Sequence, residues 1–396
     1  MAFHRRPFVE TVSGRNRNFW WHIPFSESAH SIGSWHFWSG SKTMPLSNKE
    51  TAGRAVMPTS VLGRNGPIVS RLALGTMTFG AETDEAEAHR QLDMFVDHGG
   101  TLIDTADVYS DGTSEEIIGR WGENRGGLGD MIIATKGRFS PPPGSHGASR
   151  RALVRSVDAS LRRLQVEAID IYFLHGWDRH TDVAETLGTL GDLVSAGKVH
   201  HTGWSNVAGW QLQRIVSTAH AQGFPLPVAL QPQYSLLDRG IELEVLPCAL
   251  ENSIGVTPWS PLGGGWLTGK YRADAIPSGA TRLGEDPGRG VEAYDLRNTQ
   301  RTHAILEVLQ TVATRHDRPM SHVAIAWLLA RPGVASVLLG ARTTEQLEGN
   351  LAAVDLQLRA DDLAALTEAS APGLPPYPYR FLQDWSEVDT WWMLGT

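Results

Sequence analysis

The sequence predicts an α/β fold, and within that class a (β/α)8 barrel, also called a TIM barrel. From Leu62 onward, short apolar runs typical of buried strands alternate with runs in which apolar residues recur at helical spacing. Eight such strand and helix pairs fit into roughly 290 residues, which is the count of a (β/α)8 barrel. The alternative is a doubly wound sheet, but the first turn, at 75–80, lacks the G-x-G-x-x-G spacing typical of that fold.

Each predicted element has its own local signal. Asn65 and Gly66, which lie between apolar residues, predict the turn of an N-terminal hairpin over 62–69. Apolar or β-branched runs that end at polar or glycine-rich segments predict the eight barrel strands at 72–79, 101–107, 131–136, 169–175, 199–205, 228–234, 256–262 and 336–340. Apolar faces at helical spacing predict helices at 84–98, 114–121, 150–164, 183–196, 210–222, 242–252, 299–316 and 344–354.

Three segments lie outside this repeating pattern. Residues 263–297, after the seventh barrel strand, form a long glycine-rich loop without periodicity, and loops of that length are usually functional. Residues 371–396 are a tail rich in Pro, Tyr and Trp that could reach over the mouth of the barrel. We therefore expect the barrel domain at 57–370, preceded by an extension at 1–56.

The extension at 1–56 is basic and rich in Trp, and it sustains neither a helical nor a strand period. We expect it to be poorly ordered or draped over the barrel. Two alternatives are that its codons lie upstream of a true start at Met44 or Met57, and that it is a targeting or partner segment.

Composition and charge narrow the class of protein. A formal net charge of -8 argues against a general nucleic-acid binder. The single cysteine, Cys248, cannot form an internal disulfide and fits a reducing compartment. No run approaches the roughly 20 apolar residues that span a bilayer. We expect a cytoplasmic protein without nucleic-acid or membrane partners, and its oligomeric state, monomer or homo-oligomer, stays open.

Polar side chains follow three successive predicted strands at the point where each strand ends. The second barrel strand ends in Asp104 and then Tyr109, Lys136 ends the third and His175 ends the fourth. A single lysine or histidine at such a position is more often structural. The carboxyl ends of barrel strands share one rim. Polar residues at the ends of three successive strands would therefore lie together, and we predict that they form one catalytic site.

These four residues predict proton transfer to a carbonyl oxygen. A lysine ammonium about 4 Å from a phenol favours the phenolate by up to roughly 4 kcal/mol, or about three pK units, so Lys136 would poise Tyr109 as a general acid. Asp104 would hold Lys136, and His175 would orient the carbonyl and share its proton with Tyr109. The sequence has no metal-binding pattern. A hydride donor is then required, which implies a nicotinamide cofactor.

The later strands supply candidate cofactor contacts. Ser205 and Asn206 end the fifth strand, and the aromatic ring of Tyr234 after the sixth could stack on a flat ring. The glycines at 263–265 would let backbone amides approach a pyrophosphate. The stretch from Gly264 to Lys270 matches a P-loop, but the next residue is Tyr where magnesium binding needs Ser or Thr, so we reject that motif.

From about 62 to 370 the chain resembles the aldo-keto reductase family. The motifs are Asp104-Thr-Ala-Asp-Val-Tyr109, Lys136, His175, Gly203-Trp-Ser-Asn206, Gln231-Pro-Gln-Tyr234, Trp259-Ser-Pro-Leu262 and Gly340-Ala-Arg342 with Gln346 and Asn350. The resemblance implies a barrel that binds extended NADP(H), with Asp104, Tyr109, Lys136 and His175 as the catalytic tetrad. The expected cofactor contacts are Gly75, Thr76, Met77, Asp104, Ser205, Asn206, Gln231, Tyr234, Ser260, Pro261, Leu262, Gly264, Lys270, Gly340, Arg342, Gln346 and Asn350.

The expected function is NADPH-dependent reduction of an aldehyde or ketone, or the reverse oxidation of an alcohol. Candidate substrate contacts are Phe79, Tyr109, His175 and Trp177, together with Met77, Trp204, Trp266 and aromatic residues of the tail. They predict an apolar, aromatic-lined pocket for a bulky or cyclic carbonyl. The competing class is a regulatory subunit, because channel-associated relatives share the barrel and the tetrad. A hydrolase is disfavoured, since no pair of strand-end carboxylates stands out.

Overall fold

The structure is a computed structural model that describes residues 57–129, 131–139 and 147–385. Two short antiparallel strands, β1 (Thr59–Val61) and β2 (Ile68–Ser70), form the hairpin. Eight parallel strands follow: β3 (Leu72–Gly75), β4 (Leu102–Asp104), β5 (Ile132–Gly137), β6 (Ile169–Leu174), β7 (Val199–Ser205), β8 (Ala229–Gln231), β9 (Gly255–Val256) and β10 (Val337–Gly340). They lie in the order β10-β3-β4-β5-β6-β7-β8-β9, and a bridge between Val256 and Val334 joins the two ends. This is the predicted (β/α)8 barrel.

Helices lie between the strands and after them. They are α1 (Glu85–Asp97), α2 (Thr113–Asn124), α3 (Arg150–Leu164), α4 (Val183–Ser195), α5 (Gly209–Gln222), α6 (Val245–Glu251), α7 (Arg282–Glu285), α8 (Tyr294–Arg297), α9 (Gln300–His316), α10 (Met320–Leu329), α11 (Thr344–Leu351), α12 (Ala360–Ala369) and α13 (Phe381–Trp385). Parallel strands need such crossovers, and the helices cover the outer face of the sheet.

The predicted hairpin is confirmed, and its loop contains Asn65 and Gly66. The amide of Leu62 donates to the carbonyl of Pro67 at 3.0 Å, which closes the loop. Leu62 is fully buried with Val228 and other small or apolar residues from inside the barrel. The hairpin therefore closes the amino-terminal end of the barrel and leaves the carboxyl ends of the strands for a site.

Six of the eight barrel strands are shorter than the sequence predicts, because the predicted runs continue past the ladder into the loops, whereas β7 has the predicted bounds and β5 the predicted length. The helix α10 was not predicted. Nearly all its faces are buried, so it has no polar side and no helical period in hydrophobicity. The helix α12 was also missed, and the loop at 263–297 contains a helical turn at 263–268 as well as α7 and α8.

The tail contacts the end of the barrel that carries the predicted site. The hydroxyl of Tyr379 donates to Glu244, which precedes α6, at 2.7 Å. Helices that follow barrel strands begin at the carboxyl ends of those strands. The tail therefore reaches the rim of the mouth.

Within the described ranges, no helix is long and apolar enough to cross a membrane.

We propose 57–370 as the barrel domain and predict that a chain starting at Met57 folds. The expected extension at 1–56 lies outside the described residues. Met57 itself is buried in the core beside Gly99, so the shortened chain keeps its first core contact. Far-UV circular dichroism and a urea titration should match those of the full chain within error. Aggregation, or a clear loss of unfolding free energy, would show that the domain needs residues before Met57.

Candidate active site

Lys136 connects the residues that the second and third barrel strands contribute. Its side chain is fully buried, and its Nζ donates to Asp104 Oδ1 at 2.6 Å, to the carbonyl of Thr105 at 2.8 Å and to Tyr109 Oη at 3.2 Å. Three acceptors satisfy the three donors of an ammonium, so the lysine has one fixed position. The structure thus brings together the predicted Asp104, Lys136 and Tyr109.

A tight turn after β4 directs Tyr109 back to this lysine. Ser110 and Asp111 have left-handed backbone angles, with φ of 48° and 54°, and Gly112 has φ of 94°. Non-glycine residues seldom adopt this conformation. The hydroxyl of Ser110 donates to the carbonyl of Phe79 at 2.8 Å, which holds the turn against the preceding loop.

Burial, rather than Lys136, dominates the acidity of Tyr109. Burial raises the pKa of Tyr109, and the ammonium of Lys136 offsets only part of that rise. The expected net lowering of this pKa is therefore wrong. Burial acts to lower the pKa of Lys136, but Asp104 and Tyr109 raise it above its usual value. The phenol is held neutral beside a fixed positive charge, which suits a proton donor.

His175 lies beside Tyr109 and is neutral at ordinary pH. The ring centroids are 6.1 Å apart in an edge-on arrangement. Burial lowers the pKa of His175 to about 3, and the charges of Lys136 and Arg138 act in the same direction. The expectation that His175 shares a proton with Tyr109 needs correction, because a neutral imidazole can orient a substrate but has no imidazolium proton to give.

We predict that His175 makes stability depend on pH below neutrality. An unfolded histidine binds a proton below about pH 6.5, whereas native His175 does not until about pH 3. Stability from this group is complete above pH 6.5 and is lost as the pH falls. Between pH 6.5 and 5, His175→Gln should reduce the loss of unfolding free energy by up to about 2 kcal/mol. Urea titrations at each pH measure the unfolding free energy, and His220→Gln on the surface of α5 is the control. An equal dependence of the unfolding free energy on pH in both variants would contradict the prediction.

A second row of residues holds Asp104 from the other side. Gln231 Nε2 donates to Asp104 Oδ2 at 2.7 Å, and Ser205 Oγ donates to the carbonyl of Gln231 at 2.7 Å. All three are buried at the carboxyl ends of their strands. The predicted cofactor residues Ser205 and Gln231 are thus adjacent to the predicted catalytic group.

Asn206 and Trp259 form the exposed part of this row. Asn206 Nδ2 donates to the carbonyl of His175 at 3.0 Å, and Trp259 Nε1 donates to Asn206 Oδ1 at 3.1 Å. Trp259 is only partly buried. Its indole therefore presents an aromatic ring beside the tetrad, a position that the sequence argument had given to Tyr234.

Two predicted cofactor contacts lie inside the core instead. Tyr234 is fully buried, its hydroxyl donates to Glu242 at 2.6 Å, and its ring packs edge-on against Trp327. It has no exposed face on which a ring could stack. Thr76 is also fully buried, and its amide and hydroxyl both donate to the carbonyl of Asp104. Thr76 therefore positions Asp104.

The aromatic lining differs from the expected one. Phe79, Trp204 and Trp266 belong to the core, and Phe79 has no exposed surface, so these three do not line an opening. Met77 is 40% exposed and Trp177 is partly exposed. The periodicity of the sequence could not distinguish the buried residues from the exposed ones, because all of them are large and apolar.

The sequence argument missed three residues at the mouth. The ring of Phe139 lies 5.0 Å from that of His175, and the guanidinium of Arg138 lies 4.5 Å above Phe139. Trp210 packs edge-on against Trp177 at 5.6 Å. The signal available was position, since Arg138 and Phe139 come only two and three residues after Lys136 along the chain.

The glycine turn after β9 uses its own backbone amides, because those of Gly263 and Gly265 donate to the carbonyls of Ser260 and Leu262 at 3.0 Å. Gly263, Gly264 and Gly265 have positive φ angles of 56°, 67° and 98°. A Cβ atom on Gly264 would lie 2.6 Å from Glu292 Oε2. Ser260 precedes the turn with Pro261 and Leu262, and its Oγ accepts from the amide of Gly264 at 3.2 Å. Lys270 is exposed, with its ammonium 5.1 Å from the ring of Tyr271.

The predicted cofactor contacts Gly340 and Arg342 lie at the end of β10 and just after it, and carboxylates from other parts of the chain lie beside Arg342. Gly340 pairs with Gly75 across the sheet, and nothing lies within 4 Å of its potential Cβ atom. Arg342 binds Glu285 through Nη1 at 2.7 Å and Nη2 at 2.8 Å. The ion-pair partners of Arg342 in the described residues are Glu285 and Glu82, and neither Glu345 nor Glu348 of the following helix is among them.

The start of α11 is also occupied by an internal anion. The carboxylate of Glu87 accepts from the amide of Thr344 and from its hydroxyl. Gln346 Oε1 accepts from the amide of Arg342 at 3.0 Å, and Asn350 lies one turn further along the same face. Gln346 therefore lies beside Arg342, and the amide of Thr344 at the helix start is already bound by Glu87.

Chemically, the site is a buried ion pair with a neutral phenol and a neutral imidazole beside it. Over the described residues, no group of three or more His, Cys, Asp or Glu side chains could hold a metal ion. The phenol of Tyr109 can donate a proton to a substrate oxygen, and the imidazole of His175 can orient that oxygen. A reduction would also need a hydride donor beside Trp259 and Asn206.

The comparisons with known proteins agree with this geometry. The Aldo/keto reductase family model matches residues 71–371. The chain is 36% identical to an uncharacterized oxidoreductase of Bacillus subtilis (strain 168), YrpG, over 79% of this chain and 95% of that protein. It is 34% identical to a probable voltage-gated potassium channel subunit beta of Arabidopsis thaliana, over 74% and 90%. It is 30% identical to an aryl-alcohol dehydrogenase (NADP(+)) of Phanerodontia chrysosporium, over 84% and 92%. The chain therefore belongs to the aldo/keto reductase family and is an oxidoreductase.

Proposed function

We propose that the protein reduces an aldehyde or ketone with NADPH and that Tyr109 is the general acid. The observation that carries the proposal is the buried ammonium of Lys136, 3.2 Å from the phenol and 2.6 Å from Asp104. In the reverse direction the same residues would oxidise an alcohol.

Each residue of the tetrad has a separate task in this proposal. Tyr109 donates its proton to the carbonyl oxygen, and Lys136 stabilises the phenolate that remains. Asp104 fixes Lys136, while His175 donates a hydrogen bond to the same oxygen without losing a proton. The bound nicotinamide supplies the hydride.

The residues around the tetrad fit an extended dinucleotide. Asn206 and Trp259 would flank the nicotinamide, and the pyrophosphate would lie along the glycine turn at 263–265. Arg342, Gln346 and Asn350 would hold the adenosine end. The single cysteine agrees with action in the reducing cytoplasm.

The proposed substrate is a bulky or cyclic carbonyl, and an aromatic one is favoured. The ring of Phe139 lies 5.0 Å from that of His175, and Trp177, two residues after His175 in the chain, packs against Trp210. A relative is named an aryl-alcohol dehydrogenase. Initial rates with benzaldehyde derivatives should exceed those with small charged aldehydes of equal concentration. The opposite order would reject the aromatic pocket and leave carbonyl reduction intact.

The alternative function is a regulatory subunit, which the channel subunit relative favours. The two functions differ in turnover. Consumption of NADPH with a panel of aldehydes at a kcat near the usual range of roughly 1–1,000 per second supports the enzyme. Cofactor binding without measurable turnover, together with assembly onto another protein, supports the subunit.

Arg342→Ala is expected to weaken NADPH binding about 10- to 150-fold and to leave NADH binding nearly unchanged. A hydrogen bond to a charged group is worth roughly 1.5–3 kcal/mol, and only NADPH carries a 2′-phosphate. Fluorescence titration gives both dissociation constants. Arg150→Ala, which removes an exposed arginine paired with Asp192, is the control. If the preference for NADPH survives in the Arg342 variant, the 2′-phosphate binds elsewhere.

A further inference from the structure

The guanidinium of Arg342 is already engaged by a carboxylate from a distant part of the chain. Glu285, the last residue of α7, accepts from Nη1 at 2.7 Å and from Nη2 at 2.8 Å. This two-point contact is the one that a guanidinium would offer to a phosphate. Arg342 is 16% exposed and Glu285 is 46% exposed, so the carboxylate can leave into solvent.

Glu285 differs from the other acidic residue near Arg342. Glu82 lies 3.5 Å from Arg342, but Arg289 also binds it at 2.6 Å. Arg289 therefore balances the charge of Glu82. In the described part of the chain Arg342 is the single ion-pair partner of Glu285, so anything that takes Arg342 leaves Glu285 unpaired.

The segment that carries Glu285 is attached to the glycine turn. Arg282, at the start of α7, pairs with Glu292 at 2.9 Å, and Glu292 contacts the hydroxyl of Ser260. Glu292 is 2% exposed, and its carbonyl accepts from Trp266 Nε1 at 3.3 Å. These contacts fix α7 beside the rim and position Glu285 over Arg342.

We propose that Glu285 is an internal competitor for the cofactor 2′-phosphate and that it determines the preference between NADPH and NADH. This inference rests on the proposed use of NADPH and on Arg342 as its reader. The phosphate and the carboxylate are both anions, and Glu285 already holds the Nη1 and Nη2 edge of the guanidinium that would make the two-point contact. NADPH must therefore displace Glu285, whereas NADH, which lacks that phosphate, leaves the pair intact.

If Glu285 competes with the phosphate, removing its charge should tighten NADPH binding, whereas loss of a purely structural ion pair should not. Glu285→Gln removes the charge and keeps the shape of the side chain. Dissociation constants from fluorescence titration should show NADPH binding at least about threefold tighter, since an exposed pair is worth up to about a factor of five. NADH binding should change by less than about twofold. Glu345→Gln, an exposed acid of α11 outside this pair, should change neither constant.

A double-variant cycle tests whether Glu285 affects NADPH binding through Arg342. In the Arg342→Ala background, Glu285→Gln should no longer tighten NADPH binding, because the two side chains act through one contact. An unchanged or weakened affinity for NADPH in Glu285→Gln would overturn the proposal. Equal tightening for both cofactors would overturn it too, since Glu285 would then act on the whole segment. A native chain that binds neither cofactor would reject the proposed function itself.

Discussion

Replacing Tyr109 with phenylalanine is expected to lower kcat for carbonyl reduction by about 100- to 10,000-fold, the usual contribution of a general acid. The variant keeps the ring and loses the phenol that Lys136 contacts at 3.2 Å. Because the hydroxyl moves a proton and does not hold the dinucleotide, the dissociation constant for NADPH should stay close to normal. Steady-state rates and a binding titration together measure the two effects.

A matched control is Tyr172→Phe, which removes another buried phenol, from β6. Its hydroxyl donates to Ser156 Oγ at 3.0 Å and has no contact with Lys136. We expect kcat within a few-fold of the native value for this variant. If Tyr109→Phe keeps more than about a tenth of the native activity, Tyr109 is not the general acid.

Replacing Lys136 with methionine is expected to cost about 3–5 kcal/mol of unfolding free energy, because it leaves the carboxylate of Asp104 buried without its counter-ion. The two side chains are 0% and 3% exposed and 2.6 Å apart. Gln231 still donates to Asp104, but an amide does not neutralise a carboxylate. Activity should fall as well, since the phenolate of Tyr109 would lose its nearest positive charge.

A surface pair of the same length provides the comparison. Lys198 and Asp158 are also 2.6 Å apart, but their side chains are 39% and 35% exposed. Lys198→Met should cost less than about 1 kcal/mol. Adding Asp104→Asn to Lys136→Met should restore part of the lost stability by removing the uncompensated charge. Equal losses for the two lysine variants in urea titrations would contradict the argument.

The sequence alone was sufficient to determine the barrel and the meeting of the tetrad. Both follow from periodicity: apolar runs predict parallel strands, and the carboxyl ends of such strands share a rim. Asp104, Lys136 and Tyr109 meet there although more than 25 residues separate Tyr109 from Lys136 along the chain. The hairpin was predictable for a similar reason, because its turn residues act locally.

Only the tertiary structure decided which side chains are buried and which charges they meet. Tyr234 and Phe79 lie in the core, and His175 is neutral, because helices and neighbouring strands exclude water from them. Local sequence patterns do not contain that information, since the packing partners are distant in the chain. The same holds for Arg342 and Glu285, which are 57 positions apart. Burial and ion pairing depend on distances in space, and they set the acidity of the tetrad and the charge at the cofactor corner.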